Sequence, residues 1–311
     1  MNSHWSDNRS TFTEQGETIV VGRPAFVAYF YANDGFCAYA QAVLDAWLAM
    51  LPPKTSLYYS HDDSRRFMKV TSKLIAKIRN ELTERRLAKM YKWFIVKSSA
   101  DDGAWDECHA FSFEIYATGS YYSYVYVTFP LDYVETQSPE TVSHWFCDWN
   151  QRFSFTHSGA GLGYEVAWFP EQENCVGPTM LEMSLRYHGL RAWNHSHARM
   201  HERTKQTLDT AAWLTYLDAR SIQDVGLGAV EGIYEAVTRH PCGSGLVLQA
   251  GPAPDPCDST QPNKAYALLK SINDAILPIR TTKWALKGWG DRRHPEKENG
   301  WFGRMDAMWK P

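Results

Sequence analysis

Two short segments, joined around Thr118-Gly119-Ser120, decide the fold: His109-Ala-Phe-Ser-Phe-Glu-Ile-Tyr-Ala117 and Ser123-Tyr-Val-Tyr-Val-Thr-Phe129. Both are rich in aromatic and β-branched residues, which favour strands. The intervening glycine and short polar residues favour a reversal of the chain. The pattern predicts an antiparallel pair of β-strands.

Further strands and helices are predicted on both sides of this pair. The strands are predicted at Phe26–Tyr31, Leu57–Tyr59, Trp93–Lys97, Tyr164–Phe169, Ala211–Leu217, Gly245–Ala250 and Pro278–Thr282. The helices are predicted at Phe36–Leu51, Ser72–Lys89, Pro139–Phe153, Gly177–Tyr187, Ser221–Thr238 and Lys264–Leu277. Because strands and helices do not alternate strictly, the chain is predicted to be α+β, with mixed, largely antiparallel sheets and packed helices.

The chain has 311 residues. Residues 1–23 are polar and weakly periodic, which predicts a leader before a single domain at 24–311. That domain divides into halves of about 24–156 and 157–311, and each half follows a similar strand-helix course.

Charge is segregated along the chain, although the formal net charge is only -3. Segment 65–97 has eleven Lys or Arg against two Glu, a local net of +9. Segment 101–140 has eight Asp or Glu and neither Lys nor Arg, a local net of -8. The two segments either neutralise each other in the fold or give the surface a basic and an acidic region that would steer a charged partner.

The cysteines and the apolar runs indicate a cytoplasmic protein. None of the six cysteines forms a C-x-x-C pair, and their spacing fits neither a disulfide framework nor a zinc ribbon. No apolar run approaches the ~20 residues that span a bilayer, and the first residues lack a signal-peptide core. The sequence therefore predicts no membrane segment.

Three sequence patterns are candidate chemical sites. Gly159-Ala-Gly-Leu-Gly163 precedes a predicted strand rather than a helix, so a turn or bulge is favoured over a phosphate loop. The stretch from His188 to His201, with His195 and His197 inside it, is either an exposed connection or a metal site. Because G-x-S-x-G is absent and adjacent carboxylates fall in loops, we predict no catalytic residue, no cofactor and no metal.

A set of motifs in order resembles one known family. In the second half these are Ala212–Leu217, Gly245–Pro252, Asp258, Asn263, Tyr266, Leu277–Arg280 and Trp301–Asp306. In the first half they are Tyr58, Arg65–Phe67, Tyr124–Pro130 and Gly159–Gly163. Over residues 25 to 306 the chain resembles the type VI secretion immunity proteins that are paired with VRR-type nuclease toxins.

The resemblance implies a non-enzymatic protein that binds a cognate secreted nuclease toxin in the cytoplasm. Such a protein would occlude the toxin's active site or its path for DNA. It also implies a protein partner and no membrane, and it leaves the toxin's identity and a homodimer open.

The first candidate contact with a toxin is an acidic loop that contains one large aromatic residue. A nuclease needs a basic surface to bind DNA, so four carboxylates around a tryptophan could plug its groove. The alternative for this segment is a solvated hairpin loop. The predicted contact residues are Asp101, Asp102, Trp105, Asp106, Glu107, Tyr121 and Tyr122. The alternative is a nucleic-acid-binding protein that uses the basic segment 65–97, although the near-neutral charge makes nucleic acid the less favoured partner.

Overall fold

A computed structural model describes most of the chain, and the structural statements below concern only those residues. They are 6, 9–14, 17–32, 35–61, 68–88, 92–98, 111–117, 123–166, 179, 182–191, 208, 210–233, 235–261 and 263–280.

The described residues form one eleven-stranded sheet in which all strand pairs are antiparallel. Its strands are β1 (Ser10–Glu14), β2 (Glu17–Ala32), β3 (Leu57–His61), β4 (Met68–Lys69), β5 (Lys92–Ser98), β6 (Ser112–Ala117), β7 (Ser123–Phe129), β8 (His157–Val166), β9 (Leu214–Leu217), β10 (Thr238–Cys242) and β11 (Gly245–Gln249). Their order is β10-β11-β9-β8-β2-β7-β6-β5-β3-β4, with β1 paired to β2. The predicted β6–β7 pair is confirmed, and so is the α+β class.

Strand β2 is the central strand and runs for 16 residues. Its second part lies between β7 and β8, with Tyr29 opposite both Tyr126 and Gly159. Its first part pairs with β1, so strand structure already begins within the segment that was predicted to be a leader. The division into a leader and one domain stays a prediction.

Helices cover both faces of the sheet. They are α1 (Ala40–Met50), α2 (Ser72–Glu81), α3 (Glu84–Leu87), α4 (Tyr133–Gln137), α5 (Pro139–Arg152), α6 (Ala219–Val225), α7 (Leu227–Glu231) and α8 (Lys264–Ala275), with 3-10 turns at Phe36–Ala38 and Leu277–Ile279. Residues 182–186 are also helical. No helix among the described residues has the length and apolar character needed to cross a membrane.

Four of these helices begin on a short polar side chain that accepts a backbone N–H. These N-caps are Thr71 for α2, Ser138 for α5, Asp218 for α6 and Asn263 for α8. An N-cap of this kind satisfies one of the free N–H groups of the first turn and contributes about 1 kcal/mol. The local sequence therefore sets where these helices start.

Alternation along the strands divides the core between two faces of the sheet. One, here the phenylalanine face, carries Phe26, Ala28 and Phe30 of β2, and it packs against α1, α2, α4 and α5. The other, the tyrosine face, carries Tyr29 and Tyr31 of the same strand. It continues through Tyr124 and Tyr126 of β7, and at the β9–β11 side Leu217 and Leu248 pack against α6, α7 and α8.

Several predicted boundaries are wrong. The predicted helix 72–89 breaks into α2 and α3, because Thr83 has an extended backbone and its hydroxyl donates to the Asn80 carbonyl. The strand predicted at Pro278–Thr282 begins instead as a 3-10 turn, since proline lacks an N–H and its fixed φ suits the first turn of a helix. The helix predicted to run to Thr238 ends at Glu231, and Thr238 is instead the first residue of strand β10.

The glycine-rich motif at 159–163 is not a turn or bulge, as was predicted, but the middle of β8. Gly159, Gly161 and Gly163 are opposite Tyr29, Val27 and Ala25 of β2, so a Cβ on any of them would lie on the tyrosine face. A Cβ on Gly159 would lie 2.3 Å from the Tyr29 hydroxyl, and one on Gly163 would lie 2.7 Å from the carbonyl oxygen of Arg191. Gly159 and Gly163 are therefore required because other groups lie directly against this strand.

Candidate functional surface

The predicted contact residues Asp101, Asp102, Trp105, Asp106, Glu107, Tyr121 and Tyr122 all lie outside the described residues. Their anchors in the sheet are described. Ser98 at the end of β5 and Phe111 before β6 exchange hydrogen bonds: the Ser98 N–H donates to the Phe111 carbonyl at 2.8 Å, and the Phe111 N–H donates to Ser98 Oγ at 3.0 Å. Both residues that flank the acidic loop are thus held together at one end of the sheet.

The same end of the sheet carries the rest of the acidic segment. Strand β7 ends there, because Thr128 pairs with Ser112, and the chain continues into α4 and α5. Asp132, Glu135 and Glu140 are all exposed at the start of these helices. We call this region, defined by those three carboxylates and the Ser98–Phe111 anchor, the acidic end.

The acidic end rests on a rigid aromatic base. The Tyr133 ring of α4 stacks on Phe129 at 4.1 Å between ring centroids and lies 5.9 Å from the Phe26 ring. Burial raises the pKa of the Tyr133 hydroxyl above its usual value. Helix α4 is therefore fixed to the sheet by packing, and this packing positions Asp132 and Glu135.

One acidic residue of the segment serves the interior instead. Glu114 is buried on the tyrosine face, where it accepts a hydrogen bond from the Tyr124 hydroxyl. Glu114 therefore does not contribute to the exposed negative charge that the sequence of this segment predicts. Of the four carboxylates of this segment that are described, three are exposed.

The two groups of predicted contact residues do not share an anchor. The nearest described residues on either side of Tyr121 and Tyr122 are Ala117 and Ser123. They lie at the opposite end of β6 from Phe111. Six strand residues separate these ends, a distance of about 17 Å. Only the residues from Asp101 to Glu107 are therefore flanked by the acidic end.

The basic segment forms a separate surface on α2 and α3. Arg79 is paired with Asp45 of α1 at 2.7 Å, and Arg86 is paired with Glu81. Lys73, Lys77 and Arg85 are exposed. The structure therefore neutralises part of this charge locally and leaves the remainder facing solvent.

The histidine cluster is only partly described. His188 is buried, its Nε2 lies 3.1 Å from the Leu185 carbonyl oxygen, and its ring lies 5.2 Å from that of Tyr266. His195, His197 and His201 lie outside the described residues. Across the part of the chain that is described, no group of three or more His, Cys, Asp or Glu side chains could hold a metal ion.

Asp258, a motif residue of the second half, belongs to a clamp that sequence spacing did not reveal. Arg186 pairs with Asp258 at 2.9 Å, and the Gly189 N–H donates to the Pro256 carbonyl. Burial raises the pKa of Asp258, but hydrogen bonds from Arg186 and Thr260 outweigh this effect and lower it overall. The clamp joins segments about seventy residues apart, so no local sequence pattern predicts it. Glycine is required at position 189, because a Cβ there would lie 2.1 Å from the Asp255 carbonyl oxygen.

These motifs agree with a direct family match. The family model described as TsiV, type VI immunity for VRR-NUC, matches residues 36–298, which is most of the chain. The chain belongs to the TsiV family. The resemblance seen in the sequence is confirmed, and the matched range includes the acidic end, the basic helices and the clamp.

One solved structure supports the fold. The Pseudomonas aeruginosa T6SS protein PA0821 has a TM-score of 0.76 and 17% sequence identity, over 97% of this chain and 88% of that chain. At this identity the likeness shows the fold alone. No curated protein matches the chain.

Proposed function

We propose that this member of the TsiV family is a non-enzymatic immunity protein that binds a cognate VRR-NUC nuclease toxin in the cytoplasm and blocks its active site or its path for DNA. The observation that carries this proposal is the family match over residues 36–298. Because a DNA-cleaving toxin acts where the DNA is, its inhibitor must work in the same compartment.

Protection against a nuclease requires a high affinity for the toxin. Very little free toxin is tolerable, so we expect a Kd of about 1 nM or below, near -12 kcal/mol. An interface of roughly 1,600 Å² in total would be typical, with a few aromatic or arginine side chains carrying most of the binding free energy.

The acidic end is the surface we propose for this contact. A nuclease presents a basic path for DNA, and charge complementarity would raise its association rate with an acidic surface. The exposed carboxylates of Asp132, Glu135 and Glu140 stand beside the anchor of the acidic loop, so the loop and these helices together would present one negative region. Trp105 in that loop is the proposed aromatic anchor.

The first experiment is co-expression of the nuclease encoded beside this gene, with and without the immunity protein. We expect cells that express the nuclease alone to die and cells that express both to survive. The purified pair should also form a stable complex that does not cleave DNA. Death of the co-expressing cells would refute the proposal for that pair.

Charge reversal tests the acidic end. We expect Asp132→Lys with Glu135→Lys to weaken toxin binding about tenfold or more, mostly through a slower association rate that depends less on salt. The Asp132 side chain makes no cap hydrogen bond to α4, so folding should be nearly unaffected. Binding would be measured by surface plasmon resonance at several salt concentrations.

A matched control is available on and just after α7, which packs against the other face of the sheet. Glu231 and Glu235 are also exposed carboxylates, so Glu231→Lys with Glu235→Lys changes the net charge equally. Equal losses in both double variants would show that only total charge matters and would reject the acidic end as the contact.

The aromatic anchor requires its own variant. We expect Trp105→Ala to weaken toxin binding by about 2 kcal/mol or more, roughly 30-fold, because interface tryptophans are frequent energetic hot spots. Trp105→Tyr should retain much of the affinity. If Trp105→Ala binds the toxin as tightly as wild type, this loop is not the anchor.

Exposed cations on α2 and α3 favour nucleic-acid binding as the second candidate function. Lys73 and Lys77 lie four residues apart on α2, so their like charges repel each other, and Lys73 also lies in the first turn, where the helix dipole disfavours a cation. If they bind DNA, Lys73→Glu with Lys77→Glu should abolish a low-salt mobility shift of duplex DNA. Wild-type protein that gives no shift at low salt would exclude this candidate.

A further inference from the structure

A pair of cysteine side chains from the two halves of the chain meets between α5 and the edge strand β10. Cys147 is half-buried on α5, and Cys242 is buried at the end of β10. The Cys242 thiol donates to the Cys147 carbonyl oxygen at 3.1 Å, and the Cys147 thiol donates to the Pro241 carbonyl oxygen at 3.8 Å. The Cys242 thiol therefore contacts the backbone of Cys147, and the Cys147 thiol contacts the backbone of the residue before Cys242. The two cysteines are 95 residues apart in sequence.

We propose that Cys147 and Cys242 form an oxidisable dithiol that peroxide converts into a disulfide, joining the helix that bears the acidic end to the sheet edge of the second half. Both residues are free thiols in this structure. The inference needs only the packing of α5 on β10 and does not depend on toxin binding.

The oxidation balances in two steps. The Cys147 sulfur attacks one oxygen of hydrogen peroxide, so an S–O bond forms, the O–O bond breaks, and hydroxide leaves and takes up the thiol proton as water. The Cys242 sulfur then attacks the sulfur of the resulting sulfenic acid, so the S–S bond forms and the S–O bond breaks. The second water carries away the Cys242 proton.

The surroundings of the two thiols determine which sulfur is oxidised first and which one resolves the sulfenic acid. Cys147 is the more accessible sulfur, so it meets the oxidant first. Burial, and then the hydrogen bond with the Cys147 side chain, raise the pKa of the Cys242 thiol above its usual value. Cys242 is the buried partner and therefore serves as the resolving thiol. Because the thiolate is the attacking form and its pKa is raised, disulfide formation should accelerate as the pH rises.

The experiment treats the folded full-length chain with hydrogen peroxide and maps disulfides by non-reducing peptide mass spectrometry. We expect a Cys147–Cys242 link to form about tenfold or more faster than any other pair, because the fold already holds the two sulfurs together. The oxidised protein should melt roughly 5 °C or more above the reduced one, since the link closes a long loop in the unfolded chain.

Two variants separate the steps. In Cys242→Ser, peroxide should leave Cys147 as a sulfenic acid that dimedone traps, whereas Cys147→Ser should leave no trapped species at either position. A trivalent arsenical, which needs two adjacent thiols, should bind wild type and neither variant. The proposal is overturned if the link forms only in denaturant, if other pairs form first, or if the oxidised protein melts at a lower temperature.

Discussion

The two faces of β2 solve the same packing problem with different side chains. On the phenylalanine face, Phe30 lies between 4.8 and 6.2 Å from four aromatic rings, those of Phe155, Trp149, Phe146 and Trp145. On the tyrosine face, Tyr29 contacts the Tyr31 ring at 5.4 Å, and the guanidinium carbon of Arg191 lies 4.5 Å from its ring centroid. The phenylalanine face is filled mainly with aromatic rings, whereas the tyrosine face adds carboxyl, hydroxyl and guanidinium groups that form hydrogen bonds.

Several buried polar groups of the tyrosine face have specific hydrogen-bond partners. Arg191 Nη1 donates to Thr210 Oγ1 at 2.6 Å and to the Thr210 carbonyl oxygen at 2.7 Å. The Tyr126 hydroxyl donates to the Tyr164 carbonyl oxygen at 3.1 Å, and Ser112 Oγ donates to Glu165 at 3.1 Å. A buried polar group without a partner costs free energy, so these contacts make the tyrosine face specify geometry as well as burial.

The two faces should therefore fail in different ways. Removing atoms from the phenylalanine face leaves a cavity, and its cost depends on the volume lost. Adding or removing single groups on the tyrosine face disturbs a defined contact, and its cost depends on the partner that is left behind. Stability measurements on variants of each face can separate the two modes.

The largest effect is expected on the phenylalanine face. Phe30→Ala removes a fully buried ring from this cluster, so we expect a loss of about 3–5 kcal/mol in the free energy of unfolding. Urea unfolding followed by tryptophan fluorescence and by circular dichroism would measure it. Phe30→Leu, which keeps more of the volume, should lose clearly less, and equal losses in both variants would mean that volume is not the cause.

The next effect is expected where the tyrosine face is crowded. Gly159→Ala places a methyl group against the Tyr29 ring, which is itself buried, so we expect a loss of about 1–3 kcal/mol in the free energy of unfolding. Urea unfolding would measure this loss as well.

Two further variants control for the methyl group itself. At Gly161 the nearest atom to an added Cβ is 3.4 Å away, so Gly161→Ala should cost less. Tyr29→Leu combined with Gly159→Ala should recover part of the loss by opening space. Identical losses at both glycines, with no coupling to Tyr29, would show that strand propensity rather than crowding sets the cost.

These glycines also show how far the sequence could predict the fold. The alternation in Ser123–Phe129 gave the strand directly, because Val125 and Val127 share one face and Tyr124 and Tyr126 share the other. The prediction for the glycine motif was wrong because contact with Tyr29, about 130 residues away, is what requires glycine at position 159. No local sequence pattern encodes that contact. Antiparallel strands were therefore predictable, whereas the eleven-strand order was not.

The candidate surface was predictable to a similar extent. The run of acids without cations identified the charged segment, and the structure places three exposed carboxylates of that segment at the acidic end. Residue type could not show that Glu114 points inward. Residue type also grouped Tyr121 with Trp105, although the strand ends that flank them lie at opposite ends of β6.

The smallest effect is expected from removing one hydroxyl of the tyrosine face. The Tyr124 hydroxyl donates to the buried Glu114 carboxylate, and Tyr124→Phe keeps the ring but deletes this donor. We expect a loss of about 1–2 kcal/mol in the free energy of unfolding, because a bond to a charged group is deleted and a buried acceptor loses a partner.

Tyr126→Phe is the matched control, since it deletes a bond to a neutral carbonyl on the same strand and should cost less. A double variant, Tyr124→Phe with Glu114→Gln, should lose less than the sum of its single changes, because the amide demands less from its partners than the carboxylate. If Tyr124→Phe costs nothing, the tyrosine face is held by packing alone and does not differ in kind from the phenylalanine face.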